Sequence, residues 1–110
     1  MDYSFDCRNH AVIISVRGRV DESSWVAFGV GLSEAIEKAG EAKVGEVVID
    51  LAGLEYMSSR GLRVLTVARR EGEDAGVKVT LASPNDVMRE ILAISRYDKL
   101  FTITETIETD

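Results

Sequence analysis

Residues 47–70, VVIDLAGLEYMSSRGLRVLTVARR, carry the clearest structural signal in the chain. They begin with a short, nearly unbroken apolar run rich in β-branched residues, which is typical of a strand covered on both faces. Two serines follow, a residue type that often caps helices, and then apolar residues at helical spacing. We therefore expect a strand over 46–51, a turn, and a helix over 58–76 that begins at Ser58 and Ser59.

Strands and helices alternate along the rest of the chain, each with the apolar period of its own structure. The other predicted elements are strands over 3–7, 11–20, 77–82 and 100–104, and helices over 21–40 and 83–95. The helix faces expected to be buried carry Trp25, Phe28, Leu32, Ile36 and Ala39, then Val64, Leu65, Val67 and Ala68, and finally Val87, Ile91 and Ile94. The polar end, 105–110, is expected to extend as a helix or to fray.

The resulting element order, β-β-α-β-α-β-α-β, predicts an α/β fold. Strands separated by helices imply crossover connections and therefore a mainly parallel sheet. The first two strands are close enough in sequence to pair as a hairpin. We expect one small domain over 1–110, with a mixed, mainly parallel sheet of four to five strands and three to four helices.

The charge balance limits the partners that the chain is expected to bind. With 13 basic and 19 acidic residues, the net charge is −6. Nucleic acids and anionic membranes attract clustered positive charge, so we expect neither as the main partner. No apolar run approaches the roughly 18–20 residues of a membrane span, and the first residues lack the pattern of a signal peptide. We therefore predict a cytoplasmic protein that binds other proteins.

Few residues could support catalysis or bind a cofactor. The only histidine is His10 and the only cysteine is Cys7, which excludes an internal disulfide and leaves no pattern typical of a metal site. No phosphate-binding GK[ST] or GxGxxG motif occurs, and the surroundings of Ser58 do not resemble a hydrolase nucleophile turn. We expect no enzyme activity, no cofactor and no metal. A small molecule bound at the carboxyl ends of the strands is a less favoured alternative.

The two serines at 58 and 59 have two possible roles. Serine is a preferred N-cap because its hydroxyl accepts a hydrogen bond from a free N–H of the first helical turn, and the residues alone favour this role. A helix N-terminus also tolerates a phosphate on Ser59, to which Arg60 and Arg63 could donate hydrogen bonds. Phosphorylation would add about −1.5 to −2 charges and weaken binding of a partner at that surface.

Four polar residues near these elements also have structural interpretations. Asp21 precedes the first long helix, where a carboxylate caps the helix or complements its dipole. Asp50 ends a strand before a turn, where aspartate often accepts a hydrogen bond from its own backbone. Arg63 and Arg70 share a polar helix face, which we interpret as a solvated stripe or, as a hypothesis, a contact for an acidic partner.

Three segments resemble the STAS domain family of anti-sigma factor antagonists and related modules. VVIDLAGLEYMSSRGLRVL resembles the family's apolar strand, its DSSG-type turn and the following helix. VRGRVDESS resembles the segment in which the family has glycine, an aliphatic residue and aspartate, here Gly18, Val20 and Asp21. LASPNDVMREILAISRYDKLFTI resembles the family's carboxyl-terminal part. Together the segments cover about residues 3 to 108 in the family's order.

The resemblance implies a bacterial partner-switching regulator. In the family, a cytoplasmic antagonist binds an anti-sigma factor that is also a switch-type serine/threonine kinase. The kinase phosphorylates the serine that follows the motif's aspartate, the antagonist is released, and a serine phosphatase restores it. The matching serine here is Ser59, with Ser58 as the alternative. Asp21 matches the family's aspartate near that serine, and we expect Asp21, Ser58, Ser59, Arg60 and Arg63 to contact the partner.

The sequence departs from the motif at two positions. Ser58 stands where the family has aspartate, and Arg60 stands where it has a second serine. Both changes alter the charge beside the hydroxyl of Ser59. The alternative function is therefore a STAS scaffold or adaptor module that is not phosphorylated, and a small-molecule-binding α/β domain is less favoured.

Overall fold

Five strands form one sheet in the computed structural model, which describes residues 1–107. The elements are β1 (Asp2–Cys7), β2 (Val12–Val20), α1 (Trp25–Ala42), β3 (Glu46–Met57), α2 (Ser59–Ala75), β4 (Lys78–Ala82), α3 (Asp86–Ile94), α4 (Tyr97–Leu100) and β5 (Ile103–Thr104). The strands lie side by side in chain order; β1 pairs with β2 antiparallel, and the other pairs are parallel. The predicted α/β fold with a mixed, mainly parallel sheet is confirmed. Part of the predicted polar end, 108–110, lies outside the described residues.

Alternating side chains of β2 contribute to two apolar clusters. Val12, Ile14 and Val16 are fully buried in the main core, together with side chains from α1, α2 and α3. Ile13 points the other way and belongs to a smaller cluster. Since successive strand residues point to opposite faces, the helices cover one face of the sheet and a thinner apolar layer lies on the other.

The strand β3 runs six residues beyond its predicted end at 51. Its second half pairs with the end of β2, with register shifts that bring Arg17 opposite Gly53 and Val20 opposite Met57. A Cβ on Gly53 would lie 2.8 Å from Cγ of Arg17, so a larger residue here would force the Arg17 side chain to shift. The sequence did not predict the extension because Ala52 and Gly53 are poor strand formers, and the pairing with β2 overrides that preference. The extension carries the chain to the start of α2.

The buried face of α3 differs from the prediction. Met88 and Leu92 are fully buried, whereas Val87 and Ile94 are 52% and 77% exposed. Both sets of residues recur at helical spacing, so the sequence offers two apolar faces, and the position of the helix against β3 selects one. The cap of α3 is the Asn85 side chain, which accepts a hydrogen bond from the Met88 N–H at 2.9 Å.

Two other predictions about the helical and carboxyl-terminal regions need correction. Val67 of α2 is 58% exposed rather than buried. The predicted strand over 100–104 is shorter, because the single turn α4 ends at Leu100 and β5 contains only two residues. Within residues 1–107, none of the helices is long and apolar enough to cross a membrane.

Candidate functional site

Two chain segments meet where α1 and α2 begin. The N–H of Ser58 donates to the carbonyl of Val20 at 2.8 Å, which ties the end of β3 to the end of β2. The turn that begins at Asp21 therefore lies beside the first turn of α2. Across the junction, Nε of Arg60 lies 3.5 Å from a carboxylate oxygen of Glu22. Most of the residues expected to form the site are thus brought to one end of the sheet.

Ser58 is the N-cap of α2. Its backbone is extended, with φ −77° and ψ 173°, and its hydroxyl oxygen accepts a hydrogen bond from the Gly61 N–H at 3.3 Å. Its carbonyl accepts the first helical hydrogen bond, from the Leu62 N–H at 3.0 Å. The hydroxyl of Ser58 is therefore engaged in holding the start of the helix.

Ser59 is the first residue of α2 and differs from its neighbour in both exposure and contacts. Its side chain is exposed and lies at the edge of a groove between α1 and α2. Its hydroxyl makes no hydrogen bond within the described part of the chain. The N-terminal position places it at the positive end of the helix dipole, where a negative charge is stabilised.

The two arginines of the predicted site point to the groove between α1 and α2. The guanidinium of Arg60 lies 5.2 Å from the ring centre of Trp25, a cation–π contact that draws it toward the start of α1. Arg63 is exposed and lines the same groove one helical turn further along. Arg70 does not line it. Arg63 and Arg70, which the sequence placed on one polar face, therefore differ in their relation to this surface.

Asp21 organises the turn before α1. One carboxylate oxygen accepts hydrogen bonds from the Ser23 hydroxyl at 2.8 Å and from the Ser23 N–H at 3.0 Å. These two bonds are the main reason why the pKa of Asp21 lies below its ordinary value. The N-cap position of α1 is Ser24, but its hydroxyl makes no capping bond. It accepts from the Asp21 N–H at 2.9 Å and donates to the Arg19 carbonyl at 2.8 Å, so the turn is held from within.

The groove between α1 and α2 is a feature that the sequence did not reveal. Its middle is apolar and includes Val30 and Val67, which are 57% and 58% exposed. Arg60 and Arg63 line it near Ser59. The sequence assigned Val67 to the core, but Arg63 and Arg70 lie four residues before it and three residues after it on the same helical face, and these charged neighbours were the available signal.

The remaining candidates lie apart from this junction. Asp50 accepts from the Ala52 N–H at 3.0 Å, the backbone bond expected of an aspartate before a turn, and from the Ser15 hydroxyl at 2.8 Å. Among residues 1–107, no three histidine, cysteine, aspartate or glutamate side chains are grouped so that they could hold a metal ion.

Comparisons with known proteins agree on the family. The model of the STAS domain family matches residues 3–109. A protein of Bordetella bronchiseptica, BtrV, which bears the name of an anti-sigma factor antagonist, is 26% identical over 108 residues, covering 98% of this chain and 90% of that protein.

Solved structures share the fold at low sequence identity. A Thermotoga maritima protein described as an anti-sigma factor antagonist has a TM-score of 0.81 at 18% identity, over 96% of this chain and 87% of that chain. The Bacillus cell fate determinant SpoIIAA in its phosphorylated form has a TM-score of 0.65 at 19% identity, over 93% of this chain and 90% of that chain. With the family model covering nearly all residues, the chain belongs to the STAS domain family.

Proposed function

We propose that this STAS family member is an anti-sigma factor antagonist that is switched by phosphorylation of Ser59. In its unmodified form it binds an anti-sigma factor that also acts as a serine/threonine kinase, in the cytoplasm of a bacterium. Phosphorylation by that kinase ends binding, and a serine phosphatase restores it. Support comes from the family assignment, from the name given to BtrV, and from the phosphorylated form of SpoIIAA among proteins of the same fold.

The observation that carries this proposal is the difference between Ser58 and Ser59. The hydroxyl of Ser58 is engaged with the Gly61 N–H, so modification there would remove the helix cap. The hydroxyl of Ser59 is exposed and has no partner among residues 1–107. A kinase could therefore reach Ser59 without opening the structure, which favours it over Ser58 as the phosphorylated residue.

The surroundings of Ser59 would tolerate a phosphate. The first turn of a helix stabilises a negative charge by about 0.3–1 kcal/mol, and free N–H groups there can donate to phosphate oxygens. Arg63 is exposed one turn away. The stability of the domain should therefore change little on phosphorylation, while a partner packed on this surface would meet about −1.5 to −2 added charges.

The two departures from the family motif are compatible with this function. Serine at 58 supplies the same kind of cap as the aspartate that it replaces. Arg60 contacts Glu22 and Trp25, so its guanidinium lies against α1. The hydroxyl of Ser59 is left accessible even though a long cationic residue follows it. The changed charge beside Ser59 would affect which kinase recognises the site, because the kinase must accept serine at 58 and a cationic residue at 60.

Phosphopeptide mapping in the native host tests this proposal. Tagged wild-type protein and the variants Ser59→Ala and Ser58→Ala would be recovered during growth and stress, and peptides across 47–70 analysed by mass spectrometry. We expect phosphate on Ser59 in the wild type and in Ser58→Ala, none in Ser59→Ala, and a serine kinase recovered with unphosphorylated protein. A stable partner with Ser59 unmodified under all conditions would overturn the switch and leave a constitutive adaptor.

A further inference from the structure

The groove between α1 and α2 separates opposite charges at its two ends. The end beside Ser59 is lined by Arg60 and Arg63. The far end is lined by three carboxylates, those of Glu34, Glu37 and Glu71. The two helices are aligned so that Arg60 contacts Trp25 at one end, and the Ser33 hydroxyl donates to Glu71 at 3.0 Å at the other.

The middle of the groove is apolar and open. Val30 and Val67 line it and expose more than half of their surface, while Val64 is half-buried. Gly29 on α1 also lines the groove and faces Val64, one of whose methyl groups would lie 3.6 Å from a Cβ at this position. Burial of such aliphatic side chains by a partner is favourable because it removes apolar surface from water.

The length of the groove suits a helical segment. From Trp25 to Glu37 and from Ser59 to Glu71, each helix rises about 18 Å at 1.5 Å per residue, or somewhat more than three turns. Two neighbouring helices present a continuous channel into which the side-chain ridge of a third helix can pack. Peptide recognition of this kind places aliphatic anchors every three to four residues along the groove.

We propose that this groove binds one amphipathic helix of a partner protein, and that the acidic and basic residues of this helix lie at opposite ends. Acidic residues of that helix lie against Arg60 and Arg63, aliphatic residues cover Val30 and Val67, and basic residues lie against the glutamates at the far end. The inference rests on the proposed function, in which this face binds a regulatory protein, and it names the chemistry of the segment that binds.

This arrangement gives Ser59 a direct role in binding. Ser59 lines the groove at its cationic end. A phosphate there would add about −1.5 to −2 charges and offset the charges of the two arginines, so that this end of the groove would no longer be cationic. The acidic end of the bound helix would then lose its electrostatic attraction to the groove, while its aliphatic contacts would be unchanged. The proposed switch would therefore act on one end of one helix.

Two synthetic peptides of identical composition test the proposal. Each has about 18 residues, long enough to be helical beyond the span of the groove, with leucines at helical spacing. In one peptide, glutamates occupy one half and lysines the other; in the second, they are interspersed along the polar face. Equal helicity would be established by circular dichroism. Each peptide would then be titrated into the isotope-labelled full chain while the amide resonances are followed by NMR.

We expect the segregated peptide to bind at least about tenfold more tightly, a difference of about 1.4 kcal/mol, and to shift resonances along α1 and α2. The advantage should be lost in the Glu34→Lys, Glu37→Lys double variant. It should persist in the Asp86→Lys, Glu90→Lys variant, which makes the same charge change at exposed positions of α3. Ser59→Glu should weaken binding of the segregated peptide more than that of the interspersed one.

Three results would overturn the inference. One is equal affinity for the two peptides, and another is binding that shifts resonances away from the groove. The third is self-association of the chain through this face, detected by sedimentation, because the occupant would then be a second copy. None of these results bears on phosphorylation of Ser59 in the host, so failure of this inference can be distinguished from failure of the proposed switch.

Discussion

The two long helices both begin after a serine, but the two serines make different contacts. Ser58 caps α2 by accepting a hydrogen bond from the Gly61 N–H. Ser24, in the same position before α1, donates to the Arg19 carbonyl and accepts from the Asp21 N–H, so it closes a turn instead. The first residue after Ser24 is Trp25, packed against the core, whereas the first after Ser58 is the exposed Ser59.

The start of α1 is held by hydrogen bonds within its own turn, whereas the start of α2 exposes a hydroxyl that a kinase could modify. At α1, the polar groups of the preceding turn bond to one another and hold Asp21 in place. At α2, Ser58 holds the helix, and the exposed hydroxyl of Ser59 makes no hydrogen bond among residues 1–107. The proposed switch needs both parts, because a modified hydroxyl is useful only if the backbone around it stays in position.

The largest effect is expected from Gly61→Ala, which tests how tightly α2 is seated. A Cβ at Gly61 would lie 2.5 Å from Cγ of Met57 and 2.7 Å from a methyl group of Val20. Overpacking of this kind costs about 1–3 kcal/mol, and urea unfolding should show a loss near the upper part of that range.

Gly29→Ala is the matched control at the start of α1. The added Cβ would meet Val64 at an ordinary 3.6 Å, and alanine favours the helix by up to about 1 kcal/mol. We expect Gly29→Ala to be neutral or stabilising. A comparable loss of stability in Gly29→Ala and Gly61→Ala would contradict the close seating of α2.

Aspartate substitutions at Ser58 and at Ser24 should have different effects on the free energy of unfolding. Aspartate caps helices as well as serine does, so Ser58→Asp should change the free energy of unfolding by less than about 0.5 kcal/mol. A carboxylate at Ser24 cannot donate to the Arg19 carbonyl and would lie near the Asp21 carboxylate. We expect Ser24→Asp to cost about 1–3 kcal/mol in urea unfolding. Similar stabilities of the two variants would show that the hydroxyl of Ser24 has no special role.

Alanine substitutions should distinguish Ser58 from Ser59. Ser58→Ala removes the cap and should cost about 1 kcal/mol, with faster amide exchange in the first turn of α2. Ser59→Ala removes an exposed hydroxyl without a hydrogen bond in the described part of the chain, so stability should be unchanged within about 0.5 kcal/mol. A larger loss at Ser59 would mean that its hydroxyl contributes to the fold, which would weaken its assignment as the modified residue.

Much of this fold could be predicted from local patterns. The alternation over 12–16 and the helical spacing of Phe28, Leu32 and Ile36 both gave the correct buried faces. These patterns suffice because each segment has one dominant apolar face, although Ile13 on the opposite face of β2 is also buried, in the smaller cluster. The element order then limited the sheet to a mainly parallel arrangement.

The errors arose where non-local contacts decide the structure. The second half of β3 is held by pairing with the bulged end of β2, which local propensity cannot reveal. On α3, two apolar stripes compete, and only the packed sheet selects Met88 and Leu92. The sequence predicted residues that the structure brings together at one end of the sheet, but it did not predict the different contacts of Ser58 and Ser59, since either hydroxyl is able to cap a helix.

The smallest effect is expected from the acid sensitivity of the turn before α1. Hydrogen bonds from the Ser23 side chain and N–H lower the pKa of Asp21 in the folded state. A carboxylate with a depressed pKa contributes stability that is fully present above its unfolded value of about 3.9 and is lost as the pH falls through the folded value. The wild type should therefore lose more stability on acidification than Asp21→Asn, which has no charge to protonate at this position.

Urea unfolding of both proteins from about pH 7 to about pH 2 measures this difference. We expect the two free energies of unfolding to converge as the pH falls below about 4. Ser23→Ala removes the largest cause of the pKa shift and leaves the N–H donor in place, so its pH dependence should lie between those of the other two. Parallel profiles for all three proteins would mean that the Asp21 hydrogen bonds do not stabilise the turn. The start of α1 would then be held by the hydrogen bonds of Ser24 alone. The two helix starts would differ only in the hydrogen-bond partners of the hydroxyls of Ser24 and Ser58.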